Sequence, residues 1–321
     1  MKNKNEKIIN ANDEENYDEY YVSKKYAKSS TGNEKYAKKR GLEFYLTDED
    51  NKPIYARKKI NNEEIPFFAK DKRGKYIIAE HNKVPIYPFK DENTPIFPKE
   101  GKREIYAQKD NNEIYPENKN QTQFYAKDEK SNEYPAKKVG NKLYYARKRN
   151  AKRELIEFAP KKSTNDLDYI KESNGKLKYL FNIDLNTPIF PINNKNESIY
   201  FELHNEEYYP TDEKNKQYYA KDLNNFEKLA KSKGKEYYAK DSNNDERYPQ
   251  RPSGSQYYRI DDKKEVAAIN HEGGGFYAKV NNDEYYPRVY DDLTKRDWKQ
   301  EPVSILFLKR VKLNFNLYLV K

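Results

Sequence analysis

The residues best placed to do chemistry are tyrosines followed two positions on by lysines. The triplet Tyr-Ala-Lys occurs at 36–38 and again as Tyr125 with Lys127, Tyr219 with Lys221, Tyr238 with Lys240 and Tyr277 with Lys279. An aromatic face beside a cation can stack a base while neutralising a phosphate, so the eight residues of the last four pairs form a candidate partner-binding set, with single-stranded nucleic acid as one partner. Against that partner, an acid often follows the lysine directly, as Asp71, Asp128, Asp222 and Asp241 do. Local charge then nearly cancels, whereas phosphate-driven binding needs a concentrated basic surface. Dense basic clustering is limited mainly to Arg147, Lys148, Arg149, Lys152 and Arg153.

Catalytic constellations are not in evidence. The chain has no Cys, which removes thiolate metal sites, disulfides and cysteine nucleophiles. His81, His204 and His271, its three histidines, each sit in a polar stretch that reads as a solvated turn. His271 and Glu272 open like a zinc-protease helix but lack the second His four residues on, and Gly273, Gly274 and Gly275 follow instead. There is no phosphate loop and no nucleophile elbow. Carboxylates recur beside lysines at solvent-like positions, so no acid–base pair stands out. The reading is therefore non-enzymatic, with no cofactor and no metal site.

Composition limits what can carry the tyrosines. Of 321 residues, 36% are charged and 32 are Tyr, and the net charge is +10. Aliphatic residues are too few for a generous core, yet the charge per residue is too small to hold the chain open by repulsion. Order must come from the aromatic residues, and these are periodic. Rings at Tyr26, Tyr36, Tyr45, Tyr55, Tyr106, Tyr115, Tyr125, Tyr200, Tyr209, Tyr219 and onward to Tyr286 fall roughly ten residues apart. The same phase takes Tyr134, Phe158, Ile170 and Leu180 as anchors where the pattern degenerates.

Between anchors lie Asn, Asp, Gly and Ser, which favour tight turns. Each unit of about ten residues thus reads as one short strand and a turn, two units making a hairpin of about 20 residues. A helix over 223–233 competes with a degenerate strand carrying Leu229 and Ala230. The residue before the anchor is bulky, as Ile54, Ile86 and Ile105 are, and the one after it is Ala or Pro, as in Ala56, Ala126 and Pro88. Alternation along a strand puts these two on one drier face and leaves the anchor tyrosines on an amphipathic, partly wetted face. Half of the 16 prolines directly follow an anchor, including Pro98, Pro116, Pro135, Pro210, Pro249 and Pro287. Proline cannot donate to a ladder, so each strand should end at its anchor.

The fold expectation is all-β, an elongated array of tandem hairpins, with a β-propeller or a partly disordered chain as alternatives. One unit buries too little to offset its own ordering, so neighbours must cover one another. Residues 1–16 read as a disordered polar arm, 17–287 as the repeat region and 288–321 as a tail with Trp298 and a terminal amphipathic strand. The triplets at Asn120 and Asn196 match a glycosylation acceptor, which so Asn-rich a chain produces by chance. Without a secretory leader or about 18 consecutive apolar residues, the expectation is a cytoplasmic, nuclear or virion-like protein with no membrane span.

The segment 237–249, Tyr-Tyr-Ala-Lys-Asp-Ser-Asn-Asn-Asp-Glu-Arg-Tyr-Pro, resembles the units of uncharacterised tyrosine-rich tandem-repeat proteins of arthropod genomes and virus-like mobile elements. No activity is implied by that resemblance. The paired tyrosines are also similar in logic to the hairpin repeats of choline- and glucan-binding proteins, though their Gly-Trp pair is absent, and more distantly to viral fibre shafts. Together these suggest a structural or adhesive repeat protein, fibre-like, that self-associates or presents its surface to a protein or glycan. A ligand-binding or single-strand-binding array using tyrosine and lysine surfaces is the alternative.

Overall fold

A computed structural model describes residues 25–289; the arm, most of the tail, Trp298 and the terminal strand lie outside the described residues. Regular structure among them is short antiparallel strands and one 3-10 turn at Val139–Asn141, with no α-helix. The chain divides into two compact units, one ending at Ile170 and the other beginning at Lys171.

Within each unit the strands pair two by two with their sequence neighbours, so no four-stranded propeller blade recurs. The hairpin is shorter than the sequence suggested. Ala37–Lys39 pairs with Leu42–Phe44, and Ala126–Lys127 pairs with Glu133–Tyr134, so one unit of about ten residues is a complete hairpin. The reason lies in the turns. In one kind, two consecutive residues have positive φ, as Asn61 (49°) and Asn62 (65°) or Asn281 (49°) and Asn282 (67°) do, which reverses the chain in two residues. In the other, an Asp or Asn side chain organises a five-residue loop. Asp71 Oδ1 accepts the amides of Arg73 and Lys75, both at 2.8 Å, while Gly74 takes φ 80°.

Anchors occupy the corners between hairpins. Tyr36 sits between Glu34–Lys35 and Ala37–Lys39, so strands stop one residue short of it. Alternation does not carry across a corner, and the face assignment changes accordingly. Most anchors are buried rather than wetted: Tyr106 is 5% exposed, Tyr145 0% and Tyr238 1%, with Tyr277 and Tyr286 the exposed exceptions at 39% and 51%. The residue before the anchor is the half-buried one, while the small residue after it is buried as expected, Ala126 and Ala220 fully. Four anchors also shift by one. Pro135, Ala159, Tyr169 and Tyr179 hold the corners in place of Tyr134, Phe158, Ile170 and Leu180. Over 223–233 the chain forms strands, Glu227–Lys228 and Ala230–Ser232.

Consecutive anchor rings meet edge to face and form the core. In the first unit Tyr26, Tyr36, Tyr45 and Tyr55 follow one another at 5.1, 5.1 and 5.0 Å between centroids. In the second, Tyr200, Tyr209 and Tyr219 are each 5.3 Å from the next. Such T-shaped contact places the positive edge of one ring on the negative face of its neighbour. Prolines fit beside the rings at little loss. Pro88 and Pro98 still accept the closing bonds of their hairpins, from Ile96 and Ile105 at 2.8 Å, and give up only the amide that points out of the hairpin.

Candidate functional site

A buried phenol must find hydrogen-bond partners, and the corner tyrosines find theirs in the backbone of later hairpins. Tyr106 accepts the amide of Ala126 at 2.8 Å and donates to the carbonyl of Tyr134 at 2.6 Å. Tyr115 does the same with Ala136 and Tyr144, Tyr125 with Ala146 and Phe158, and, in the second unit, Tyr200 with Ala220 and Lys228. One hydroxyl thus joins the hairpin two corners on to the carbonyl just before the third corner. Burial pushes the Tyr26 and Tyr248 hydroxyls up to about 12 and those of Tyr36, Tyr115 and Tyr209 higher still, with the donated amides pulling back in part.

The tyrosine before a corner reaches the other way. Tyr134 donates to the carbonyl of Glu104 while Tyr106 donates to that of Tyr134, a reciprocal lock across the stack. Tyr209 and Tyr237 repeat it, with Tyr237 bonded to Glu207 at 2.6 Å and the two rings 4.9 Å apart.

A third contact comes from the glutamate two positions before the corner. Glu104 Oε2 accepts the amide of Lys127 at 2.9 Å, Glu113 that of Lys137 at 2.8 Å and Glu207 that of Lys231 at 2.8 Å. Gln123, Gln217 and Gln256 do the same work through Oε1. These edge amides have no neighbouring strand, so a side chain takes the strand's place. Sequence reasoning missed this role and read the carboxylates as solvated; their recurrence two residues before the corner was the available signal.

Phenol and amide are matched in sequence. Within each unit, wherever the residue after the second corner on is proline, the first corner lacks a hydroxyl: Phe68 with Pro88, Ile78 with Pro98, Phe97 with Pro116, Pro135 with Pro160, Phe190 with Pro210, Leu229 with Pro249 and Ala267 with Pro287. Where that residue carries an amide, the corner is tyrosine. An acceptor is present only where there is a donor to satisfy.

The eight sequence-selected residues are accordingly dispersed. Tyr125, Tyr219 and Tyr238 are 5%, 5% and 1% exposed, and their hydroxyls are bonded to Phe158, Arg247 and Val266. They offer no free face to a base. Tyr277, 39% exposed, packs on Tyr286 at 5.0 Å. Lys127, Lys240 and Lys279 give their amides to Glu104, Gln217 and Gln256, and Lys221 is exposed. Cations cover rings just before a corner, as Lys138 over Tyr144 at 4.8 Å and Arg103 over Tyr134 at 4.6 Å, and two corner rings, Arg247 over Tyr219 at 5.6 Å and Arg259 over Tyr238 at 5.8 Å.

Other titratable groups are few and local. His271 Nδ1 lies 2.7 Å from Asp245 Oδ1, and the His271 amide and ring hold the Asp245 carboxyl below its usual range. His81 Nδ1 is 3.4 Å from the Asn51 carbonyl, and His204 occupies a turn at φ 54°. Burial raises the Glu227 carboxyl, opposed by the Gln250 amide and Arg247. Among the described residues no three His, Cys, Asp or Glu converge as metal ligands. None of their helices is long and apolar enough to cross a membrane. The chain matches no family model, curated protein or solved structure.

Proposed function

We propose that this chain is a non-enzymatic structural or adhesive repeat protein, whose tyrosines build the array and whose lysines, glutamates and turn residues form the surface it presents. The observation that carries the reading is the commitment of the corner phenols to backbone groups, as in Tyr106 with Ala126 and Tyr134. A buried phenol that accepts an amide and gives its one proton to a carbonyl is tied into the backbone on both sides. Self-association into fibre-like assemblies fits this role, since a repeat stack offers the same contacts at each step. Circular dichroism with size-exclusion light scattering tests it. A strand spectrum with an extended or multimeric particle is expected, and a random-coil spectrum at monomer mass would remove the reading. Titration with single-stranded DNA at two salt concentrations tests the binding alternative, which requires a steep loss of affinity at the higher salt.

A further inference from the structure

We propose, resting on the adhesive reading above, that the first unit binds a sulfated polysaccharide along one basic column of stacked hairpins. Glu43 takes the Lys70 amide and Glu104 the Lys127 amide, so each hairpin stacks on the third one after it and the unit has three columns. Hairpins 37–44, 69–77 and 98–105 form one of them. Lys72 packs on the turn of the first, 3.3 Å from the place of a Cβ on Gly41, and a cleft of about 450 Å³ is lined by the second and third. These hairpins start about 30 residues apart, so no basic run marks the column in the sequence.

Charge is segregated among the columns. These three hairpins carry ten Lys or Arg against four Asp or Glu. The column of 46–54, 79–86 and 107–114 carries three against six, and that of 27–35, 56–67 and 88–96 carries six against five. All ten cations of the basic column are exposed. Of its acids, Glu43 and Glu104 are turned to the amides they hold and Asp71 to its own turn, which leaves Glu100 as the exposed one. Other lysines find carboxylates, as Lys90 does with Glu63 at 2.5 Å and Lys235 with Asp261 at 3.0 Å. Among the described residues Arg40, Lys72, Arg73, Lys75, Lys99 and Lys102 form no ion pair. Unpaired cations on three stacked hairpins fit a linear polyanion.

The chemistry of the column selects the polyanion. Single-stranded nucleic acid gains affinity by stacking bases on exposed rings, and this column exposes none. Its Phe44 and Tyr76 are half-buried, and Lys70 covers Tyr76 at 5.4 Å. A duplex would bring its second phosphate strand against the bordering acidic column, where Glu49, Asp50 and Asp110 are exposed. A sulfated polysaccharide is a single narrow chain with no base to stack, and it needs only charge and hydrogen-bond donors. The edge amide of Lys99 is taken by no glutamate, because Tyr76 stands at the equivalent of Glu43, and it adds a donor beside the cleft lined by Arg73, Lys75 and Lys99. The other basic stretch, Lys137 to Arg153, makes no such track, since Glu113 and Gln123 stack its two hairpins in different columns.

Calorimetric titration of the full chain with heparin at about 50 mM and about 200 mM salt tests it. Saturable binding is expected at the lower salt, weakening roughly 100-fold at the higher. Oligo(dT) of matched charge should bind at least about tenfold more weakly than heparin. Lys72→Gln with Arg73→Gln on one hairpin, and Lys99→Gln with Lys102→Gln on the next, should each weaken heparin binding about tenfold. Lys214→Gln with Lys233→Gln, at exposed positions of the second unit, should change it by less than about twofold. Circular dichroism of each protein separates loss of the site from loss of the array. With the strand spectrum intact, any of four results overturns the proposal and leaves the structural role standing: no saturable heparin binding, equal affinity for oligo(dT), unchanged affinity in either column variant, or an equal loss in the second-unit variant.

Discussion

Tyr106 and Ala126, twenty residues apart, are joined by one hydrogen bond in which the Ala126 amide donates to the Tyr106 hydroxyl at 2.8 Å. The pair states the rule of the array: the ring supplies an acceptor where the later hairpin has a donor. Tyr106→Phe removes the acceptor and also the donor to Tyr134, leaving buried polar groups unpaired at a cost of roughly 1–3 kcal/mol. Ala126→Pro removes the donor instead, as at Pro88 and Pro98. In the double variant the amide has gone together with its acceptor, so its loss of stability should fall short of the sum of the singles by roughly 0.5–1 kcal/mol. Chemical unfolding of the four proteins measures the coupling, and strict additivity would refute the rule.

The glutamate contacts make a separate prediction. Glu113 holds the Lys137 amide at 2.8 Å, and Gln123 holds the Arg147 amide at 3.1 Å in the same way. What matters is the oxygen, not the charge. Glu113→Gln should therefore leave the unfolding midpoint nearly unchanged at low and high salt, whereas Glu113→Leu should cost roughly 0.5–1.5 kcal/mol. A large loss in the glutamine variant would show that charge dominates instead.

Much of the architecture was legible. The spacing of rings gave an all-β tandem array because short strands and turn residues recur with it, and Ala56 and Ala126 were correctly placed on a buried face. What was not legible depended on distance. Alternation assumes one continuous strand, but Tyr36 and Tyr106 sit at corners, where the chain bends and the rule stops applying. Their burial is stable only because a partner lies twenty residues away, a satisfaction invisible to any local pattern. The same limit hid the role of Glu104 and turned Tyr125, Tyr219 and Tyr238 into apparent surface platforms. The pairing of Phe97 with Pro116 was present in the sequence, yet without the two-corner contact nothing linked them.

Turn residues give a third expectation. Ser131 holds φ 65° at the loop position where Gly74 holds 80°, and left-handed backbone is strained for any side chain. Ser131→Gly should raise stability by roughly 0.5–1 kcal/mol. Gly74→Ala should lower it by roughly 1 kcal/mol through the backbone alone, because a methyl group there meets nothing within 4 Å. Thermal melts of both variants settle the signs, and a stabilising Gly74→Ala would contradict the assigned turn.

The strongest response should be to alkali. Burial raises the hydroxyls of Tyr26 and Tyr248 from 10.0 to about 12, and those of Tyr36, Tyr106 and Tyr115 further. The folded chain then keeps protons that the unfolded chain releases as pH passes 10, so stability falls with rising pH. The contribution is complete below pH 10, the unfolded value, and is lost progressively as pH climbs toward the folded values of about 12 and above. Because each phenol joins two hairpins, ionising one weakens its neighbours, and the loss should be cooperative. Tyrosinate absorbance followed together with circular dichroism through an alkaline titration tests this. The absorbance of the buried rings should lag behind that of free tyrosine and rise at the pH where the strand signal disappears. Ionisation of most tyrosines near pH 10 with the strand signal intact would mean that the phenols do not hold the array together.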